Sequence, residues 1–232
     1  MKTLSFHNLK IGRAAKTVLL EVDSVRDLIS IKSGLNLIIA PNGYGKTTFL
    51  QTLAGILAPL EGEIQFEGRV FDREKMALYL SEYLIFPKFV YPQEWIEYVA
   101  GKRGLAHLEN WIADFSLLSS MGQYMGRLSQ GTRRKVTWLA AHASQKEVLL
   151  LDEPLDGLDL LAIHTARKMI LEWKKENRVI CIVAHQPWEL LDLCDEIFLI
   201  KDRRLKIWKN LANSSHPTSL ELFRQEIFRA YF

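Results

Sequence analysis

The chain has 232 residues, of which 48% are apolar and 25% are charged, and its formal net charge is +3. These values are ordinary for one large α/β domain or for a core domain with an inserted subdomain. The small charge gives no support to a nucleic-acid or membrane-surface partner, and no apolar run approaches the ~18 residues of a membrane span.

The first residues lack the apolar core of a signal peptide, and the two cysteines have neither zinc-ligand nor Cys-x-x-Cys spacing. Cys181 and Cys194 both stand in apolar surroundings. We therefore expect a soluble, cytoplasmic protein with two buried free thiols.

The first third of the chain is predicted to be rich in β-strands. Short apolar or alternating runs predict strands over 4–9, 18–22, 28–31, 35–40, 63–66 and 77–80. Apolar residues at helical spacing predict a helix over 46–57. Residues 40–48 therefore span the connection that leads from a buried strand into a helix.

The middle of the chain has helical patterns instead, and the last third alternates between the two. Helices are predicted over 92–101, 105–118, 129–144, 160–175 and 187–193, and strands over 148–151, 179–183 and 196–200. The alternation after residue 148 predicts parallel βαβ units on an open sheet. The basic segment 201–209 is predicted to add a hairpin strand, and 218–231 a terminal amphipathic helix.

The segment Ala40–Thr48 reads Ala-Pro-Asn-Gly-Tyr-Gly-Lys-Thr-Thr and has the composition of a phosphate-binding P-loop. Gly43 and Gly45 allow close approach of backbone N–H groups to phosphate, and the helix N-terminus adds positive charge. Lys46 is expected to reach the β- and γ-phosphates, and the Thr47 hydroxyl to hold Mg²⁺. The alternative is an ordinary glycine-containing turn. Ala40 replaces the first glycine of the pattern, and we expect nucleotide binding to survive the extra methyl group.

Two acids follow the apolar run that starts at residue 148. A buried strand that ends in Asp152 and Glu153 delivers carboxylates to the edge of a sheet. With a P-loop upstream, Asp152 is interpreted as the acid that positions Mg²⁺ and Glu153 as the group that polarises the attacking water. The alternative is a solvated acidic turn before Pro154.

A possible helix start lies at Leu128–Thr132. Ser129 fits an N-cap, and the N–H groups at such an end can bind a phosphate. A capped helix with no other role remains the simpler interpretation of this segment alone. The basic residues Arg133, Arg134 and Lys135 are interpreted as a solvated face.

In this order the motifs resemble those of ATP-binding cassette (ABC) proteins, over nearly the whole chain up to about residue 200. Ala40–Thr48 resembles Walker A, Leu128–Thr132 the LSGGQ-type signature, 151–154 Walker B with its catalytic glutamate, 155–159 the D-loop, and Ala184-His185 the H-loop. The resemblance implies an α/β fold with a P-loop NTPase core and mostly parallel sheet, an N-terminal antiparallel β subdomain and an inserted helical subdomain. Residues 1–232 would form one nucleotide-binding domain, with 1–80 and 146–232 as the RecA-like core with its β subdomain and 83–144 as the helical subdomain.

The resemblance also assigns roles to residues. Glu153 and His185 would be catalytic, Asp159 would belong to the D-loop, and Thr47, Asp152 and Glu82 would hold the metal. The nucleotide-binding residues would be Asn42, Gly43, Gly45, Lys46, Thr47 and Thr48. The residues that face ATP bound to a second cassette would be Ser129, Gln130 and Gly131. The implied ligands are ATP and Mg²⁺.

Some positions depart from the family pattern. Glu82 stands at the Q-loop position, where it adds a negative charge near the phosphates. Gln130 replaces a glycine of the signature and adds bulk. The region 11–18 has no aromatic residue to stack on adenine, and Arg13 is the alternative stacking group. The run His185-Gln186-Pro187 is similar to that of bacterial haem-exporter-type ATP subunits.

The expected function is that of an ATPase that powers a membrane ABC transporter. Two cassettes, identical or different, would close on ATP and separate after hydrolysis. The permease would be one or more separate transmembrane subunits, and the chain would lie on the inner face of the cell membrane, with no nucleic acid as partner. The alternatives are a regulatory or mechanical ABC ATPase not engaged in transport, and a nucleotide-gated binding module with little hydrolysis.

Overall fold

The structure is a computed structural model that describes residues 1–12, 17–81, 85–101, 107–184, 187–210 and 225. Within these ranges, eleven strands form one sheet. The strands are β1 (Thr3–Gly12), β2 (Val18–Val22), β3 (Ile31–Lys32), β4 (Gly34–Ile39), β5 (Glu61–Phe66), β6 (Arg69–Val70), β7 (Ala77–Leu80), β8 (Val148–Asp152), β9 (Val179–Val183), β10 (Glu196–Lys201) and β11 (Arg204–Asn210). The helices are α1 (Lys46–Leu53), α2 (Arg73–Met76), α3 (Pro92–Ala100), α4 (Glu109–Asp114), α5 (Gln130–Ser144) and α6 (Leu160–Lys175). Short 3₁₀ turns lie at Leu118–Ser120, Met125–Arg127 and Pro187–Leu190.

The sheet has a parallel half and an antiparallel half. Its strand order is β6-β5-β1-β2-β11-β10-β4-β9-β8-β7, and β3 pairs with β1. The neighbours from β10 to β7 are parallel, whereas β1 pairs antiparallel with β2, β3 and β5. This arrangement confirms the predicted α/β fold class, with a mostly parallel core sheet and antiparallel strands near the N-terminus.

The central strands β4, β8 and β9 are buried along their whole length because both faces of the sheet are covered. Side chains alternate between the two faces along a strand. Leu37 and Leu151 therefore join an apolar cluster with α5 and α6, and Ile38 and Leu150 join a second cluster with α1 and β1. The helices α3, α4 and α5 lie between β7 and β8 in the chain.

Several predicted boundaries are wrong for local reasons. The predicted strand 28–31 is only Ile31–Lys32, because Leu28 has φ 53 and is 83% exposed. The predicted helix 46–57 ends at Leu53, and Gly55 with φ 78 follows in a turn. The predicted helix 105–118 does not continue to residue 118. It ends as α4 at Asp114, and Ser116, with φ 56, separates α4 from the 3₁₀ turn that begins at Leu118.

Other predictions need smaller changes. The predicted helix 187–193 is the 3₁₀ turn Pro187–Leu190, and the strand β6 and helix α2 were not predicted. The predicted helix 218–231 lies outside the described residues. Cys181 and Cys194 are buried free thiols, as expected, and burial raises the pKa of Cys181 to about 12. None of the helices in the described ranges has both the length and the apolar character needed to cross a bilayer.

Candidate functional site

The carboxyl ends of β4, β9 and β8 lie side by side at one edge of the sheet. In the strand register, Val183 pairs with Ile38 on one side and with Asp152 on the other. Because the three strands are parallel, the loop after β4 and the acidic turn after β8 leave the sheet at the same edge. The structure therefore brings the predicted P-loop and the predicted acids together.

Gly43 and Gly45 give the loop before α1 its path. Their φ angles are 83° and 94°, in the left-handed region that favours glycine. A Cβ on Gly43 would have no neighbour within 4 Å, and one on Gly45 would lie 3.5 Å from the Cβ of Leu19. Backbone conformation rather than space therefore requires glycine here. Asn42 is exposed, Thr47 is half-buried and Thr48 is buried at the start of α1.

The side chain of Lys46 is enclosed by the loop, and the residue is only 7% exposed. Its ammonium group donates to the carbonyl oxygen of Ala40 at 2.7 Å and to that of Pro41 at 3.3 Å. Burial lowers the pKa of Lys46, and the negative charges of Glu153 and Asp152 oppose this shift. A buried cation thus faces two buried acids.

Asp152 ends β8 and is 3% exposed. Its Oδ2 accepts a hydrogen bond from the hydroxyl of Tyr79, on the neighbouring strand β7, at 3.1 Å. Burial, followed by the charge of Asp152, raises the pKa of Tyr79 to about 12. The hydroxyl therefore stays protonated near neutral pH and donates to the carboxylate.

Glu153 is 4% exposed and has φ 49, which is a strained conformation for a residue other than glycine. Hydrogen bonds to both backbone groups of Glu153 support this conformation: its N–H donates to the carbonyl of Val183 at 2.9 Å, and its carbonyl accepts from the Arg134 side chain, through Nη1, at 2.8 Å. The same Nη1 donates to the carbonyl of Asp156 at 2.7 Å. The prediction of a solvated face is therefore wrong for Arg134, because α5 turns this side chain inward, where it is 7% exposed.

A second contact ties α5 to the acidic turn. The indole Nε1 of Trp138 donates to the carbonyl of Pro154 at 3.1 Å, and the Trp138 ring stacks on that of Trp173 in α6 with 5.3 Å between centroids. Arg134 and Trp138 lie four residues apart and share one face of α5. The segment 153–156 is thus held by a helix that comes from elsewhere in the sequence.

Ser129 caps α5, as predicted. Its Oγ accepts from the backbone N–H of Thr132 at 3.1 Å and lies 2.7 Å from the Thr132 hydroxyl oxygen. Ser129 and Gln130 are exposed at this helix start. A Cβ on Gly131 would lie 2.8 Å from the carbonyl oxygen of Gly157, so the predicted signature segment packs directly on the predicted D-loop segment.

Asp159 has a local structural role that the sequence did not indicate. Its Oδ1 accepts from the N–H of Ala162 at 2.8 Å and caps α6, and its Oδ2 pairs with the ammonium of Lys135 at 2.7 Å. The hydrogen bond from Lys135, with that from Ala162, lowers the pKa of Asp159. The solvated-face prediction is thus also wrong for Lys135, whose side chain is only 15% exposed.

Some predicted residues lie outside the described ranges, namely Glu82, His185 and the stacking candidate Arg13. Conversely, sequence reasoning missed Tyr79 and the inward position of Arg134. The spacing of Arg134 from Trp138 and Ala141 (four and seven residues) was a helical signal for the latter. Tyr79 had no comparable signal. The described residues contain no group of three or more histidine, cysteine or acidic side chains that could hold a metal ion.

Comparison with known proteins agrees with this geometry. The family model described as ABC transporter matches residues 29–156. The ABC transporter ATP-binding protein NatA of Bacillus subtilis is 30% identical over 196 residues, which cover 77% of this chain and 78% of NatA. An uncharacterized ABC transporter ATP-binding protein of Methanocaldococcus jannaschii is 29% identical over 168 residues, which cover 71% of this chain and 62% of that protein.

Solved structures have the same fold. A putative ABC transporter ATP-binding protein from Pyrococcus furiosus superposes with a TM-score of 0.72 at 26% identity, over 85% of this chain and 97% of the other. The ATP-binding subunit of an ABC transporter gives a TM-score of 0.81 over 96% of this chain and 98% of the other, and at 21% identity this likeness concerns the fold alone. The chain therefore belongs to the ABC transporter family, and its fold is that of the ATPase domain of this family.

Proposed function

We propose that this chain is the ATP-binding and ATP-hydrolysing subunit of a membrane ABC transporter. The observation that carries the proposal is that Lys46, at the end of the glycine loop after β4, and the buried acids Asp152 and Glu153, at the end of β8, lie at one edge of the parallel sheet, where the charges of the acids act on the lysine. A buried cation and backbone N–H groups suit the phosphates of a nucleotide, and buried acids next to them suit a metal ion and a water molecule.

ATP binding would fall to the P-loop. Lys46 would exchange the carbonyl oxygens of Ala40 and Pro41 for phosphate oxygens, which are stronger acceptors for an ammonium group. Backbone N–H groups of the loop and of the first turn of α1 would surround the same phosphates. The residues in this role would be Asn42, Gly43, Gly45, Lys46, Thr47 and Thr48.

The metal accompanying ATP would be Mg²⁺, and the donor atoms fit it. The Thr47 hydroxyl and the Asp152 carboxylate offer oxygen ligands, and Mg²⁺ is commonly bound by one or two carboxylates together with substrate phosphates. Glu82, at the Q-loop position, would add a further carboxylate oxygen. When bound, Mg²⁺ neutralises charge on the phosphates.

Hydrolysis would depend on Glu153. Glu153 is 4% exposed, and its charge acts on the P-loop lysine. From this position its carboxylate could accept a proton from a water molecule directed at the terminal phosphate. The strained backbone of Glu153 is consistent with this role, because such conformations cluster at functional sites. His185 would contact the terminal phosphate and hold the same water.

Two cassettes, of this chain alone or of this chain and a relative, would close head to tail on ATP. Ser129, Gln130 and Gly131 would then face the nucleotide bound by the partner. The support is that Ser129 and Gln130 are exposed at the N-terminus of a 15-residue helix, where N–H groups favour an anion. Asp159 would lie near the crossing of the two chains.

The membrane partner would be one or more transmembrane permease subunits, which would hold this chain on the inner face of the cell membrane. The helical subdomain, over 83–144, would press against the permease. Its segment before α3 exposes large apolar side chains, Ile85 at 92% and Phe89 at 82%, which suit contact with another protein. Co-purification of this chain with a polypeptide that has several membrane spans would support this part of the proposal, and purification without one from detergent-solubilised membranes would contradict it.

The decisive experiment is Glu153→Gln. Removing a general base lowers turnover by roughly 10²–10⁴-fold, so ATP hydrolysis should fall by at least that lower figure while ATP binding persists. The matched control is Glu147→Gln, which changes a glutamate just before β8, at the opposite end of the strand, where it pairs with Lys2 at 3.0 Å. Hydrolysis of the Glu153→Gln protein within a few-fold of wild type would refute the role of Glu153.

A further inference from the structure

The hydroxyl of Tyr79 lies between the strand that carries Asp152 and the helix that follows the P-loop. Tyr79 pairs with Leu150 across β7 and β8, and both residues contact the apolar cluster that contains the core residues of α1. Because side chains two residues apart on a strand share a face, Asp152 lies on the same side of the sheet as Leu150. This register lets the Tyr79 hydroxyl reach Oδ2 of Asp152 at 3.1 Å.

Two more side chains lie close enough to act on this hydroxyl. Those of Gln51 and Ser81 lower the pKa of Tyr79 and so partly offset the larger rise caused by burial and by the charge of Asp152. Gln51 comes four residues after Thr47 on α1, so the two project from one face of the helix, one turn apart. The Tyr79 hydroxyl thus lies between the helix that presents Thr47 and the strand that presents Asp152.

We propose that Tyr79 is a positioning residue for the divalent cation that accompanies ATP, acting through the carboxylate of Asp152. The inference rests on the proposed function. A hydrogen bond to one oxygen of a carboxylate restricts rotation of the group and so fixes the direction of the other oxygen. Residues that hold a metal ligand in this way commonly change metal affinity by roughly 10–100-fold when they are replaced. In this role Tyr79 would act only through Asp152 and would not itself be a metal ligand.

The test uses Tyr79→Phe, which removes the hydroxyl and keeps the ring that packs on the apolar cluster. The parent protein carries Glu153→Gln, so that ATP is bound without turnover. Calorimetry gives the dissociation constant of ATP in excess Mg²⁺ and in EDTA, and the ratio of the two constants measures the contribution of the metal. The spectrum of Mn²⁺, followed by electron paramagnetic resonance, reports how much metal the ATP complex retains.

We expect Tyr79→Phe to reduce the Mg²⁺ contribution to ATP affinity by about tenfold and to release Mn²⁺ from the complex, with ATP affinity in EDTA unchanged. The control, Tyr98→Phe, makes the same change at a residue of α3 that is 81% exposed, and it should alter neither constant.

Two results would overturn the proposal. An equal loss of ATP affinity with and without metal would mean that Tyr79 only supports the fold, and unchanged constants would mean that its hydroxyl does not act on Asp152. Failure of the proposed function is a separate outcome. It would appear in the parent protein, as an ATP affinity that does not depend on Mg²⁺ or as no ATP binding at all.

Discussion

Replacing Arg134 by methionine should weaken the fold and lower turnover while leaving ATP binding intact. Arg134 is 7% exposed, and its Nη1 donates to the carbonyl oxygens of Glu153 and Asp156. Methionine keeps the length and the apolar stem but offers no donor to these oxygens. Hydrogen bonds from a charged donor contribute about 1.5–3 kcal/mol each, and part of this is offset because a buried guanidinium is no longer desolvated. We therefore expect Arg134→Met to lower the free energy of unfolding by about 2–4 kcal/mol.

Thermal unfolding and ATP hydrolysis together measure this effect. For a chain of this length, 1 kcal/mol shifts the melting temperature by about 2–4 °C, so the Arg134→Met protein should melt roughly 5–15 °C below wild type. Turnover should fall because Glu153, at φ 49, loses one of the hydrogen bonds that hold its backbone. ATP affinity should persist because Lys46 and the P-loop are not touched.

The matched control is Arg127→Met, at an exposed arginine just before the predicted signature segment. It should leave both the melting temperature and turnover at the wild-type level. If Arg134→Met melts and hydrolyses ATP as wild type does, the inference that α5 holds the acidic turn through this side chain is refuted. If both arginine variants lose stability equally, the loss comes from charge in general and not from the two carbonyl contacts.

Two further predictions concern the same part of the fold. Gly131→Ala would place a Cβ 2.8 Å from the Gly157 carbonyl oxygen, and overpacking of this kind costs about 1–3 kcal/mol. Its melting temperature should fall, whereas Gly122→Ala, where a Cβ meets nothing within 4 Å, should melt as wild type does. His142 accepts a hydrogen bond from Nε1 of Trp173 at 3.0 Å, and burial, followed by the charge of Arg178, lowers its pKa from the ordinary 6.5. Below pH 6.5 the unfolded chain therefore takes up a proton at His142 more readily than the folded chain does. The contribution of His142 to the free energy of unfolding should be complete above pH 6.5 and should be lost as the pH falls below it. His142→Gln should reduce this loss of stability at acid pH in melting curves.

The sequence predicted best those elements whose hydrophobic period decides their structure. The strands β7 and β9 and the helix α6 begin and end at the predicted residues, because the spacing of their apolar side chains matches the period of the element. The P-loop and the acids were also predictable, because their chemistry demands residue types at a fixed spacing. By contrast, Leu28 has the apolar character of a strand residue but a left-handed backbone and an exposed side chain, which a hydrophobic pattern does not reveal.

The contacts that support the site were less accessible from sequence. Tyr79 meets Asp152 across 73 positions, and Arg134 meets the carbonyl of Glu153 across 19. Such pairings are determined by strand register and helix orientation, which are properties of the tertiary structure and not of the local sequence. A basic residue after a helix cap is usually solvated, so the sequence favours an exposed position for Arg134, whereas the fold buries it.

The hydrogen bonds between α5 and the turn after β8 have a consequence for the coupling between two cassettes. Arg134 and Trp138 fasten to segment 153–156 the same helix that begins beside Ser129. Because of these contacts, a movement of Glu153 would tilt α5 and with it Ser129, the residue proposed to face the nucleotide of a second cassette. If the cassettes pair as proposed, ATP hydrolysis at one site would be transmitted through α5 to the other site. Hydrolysis at the two sites would then be correlated and not independent.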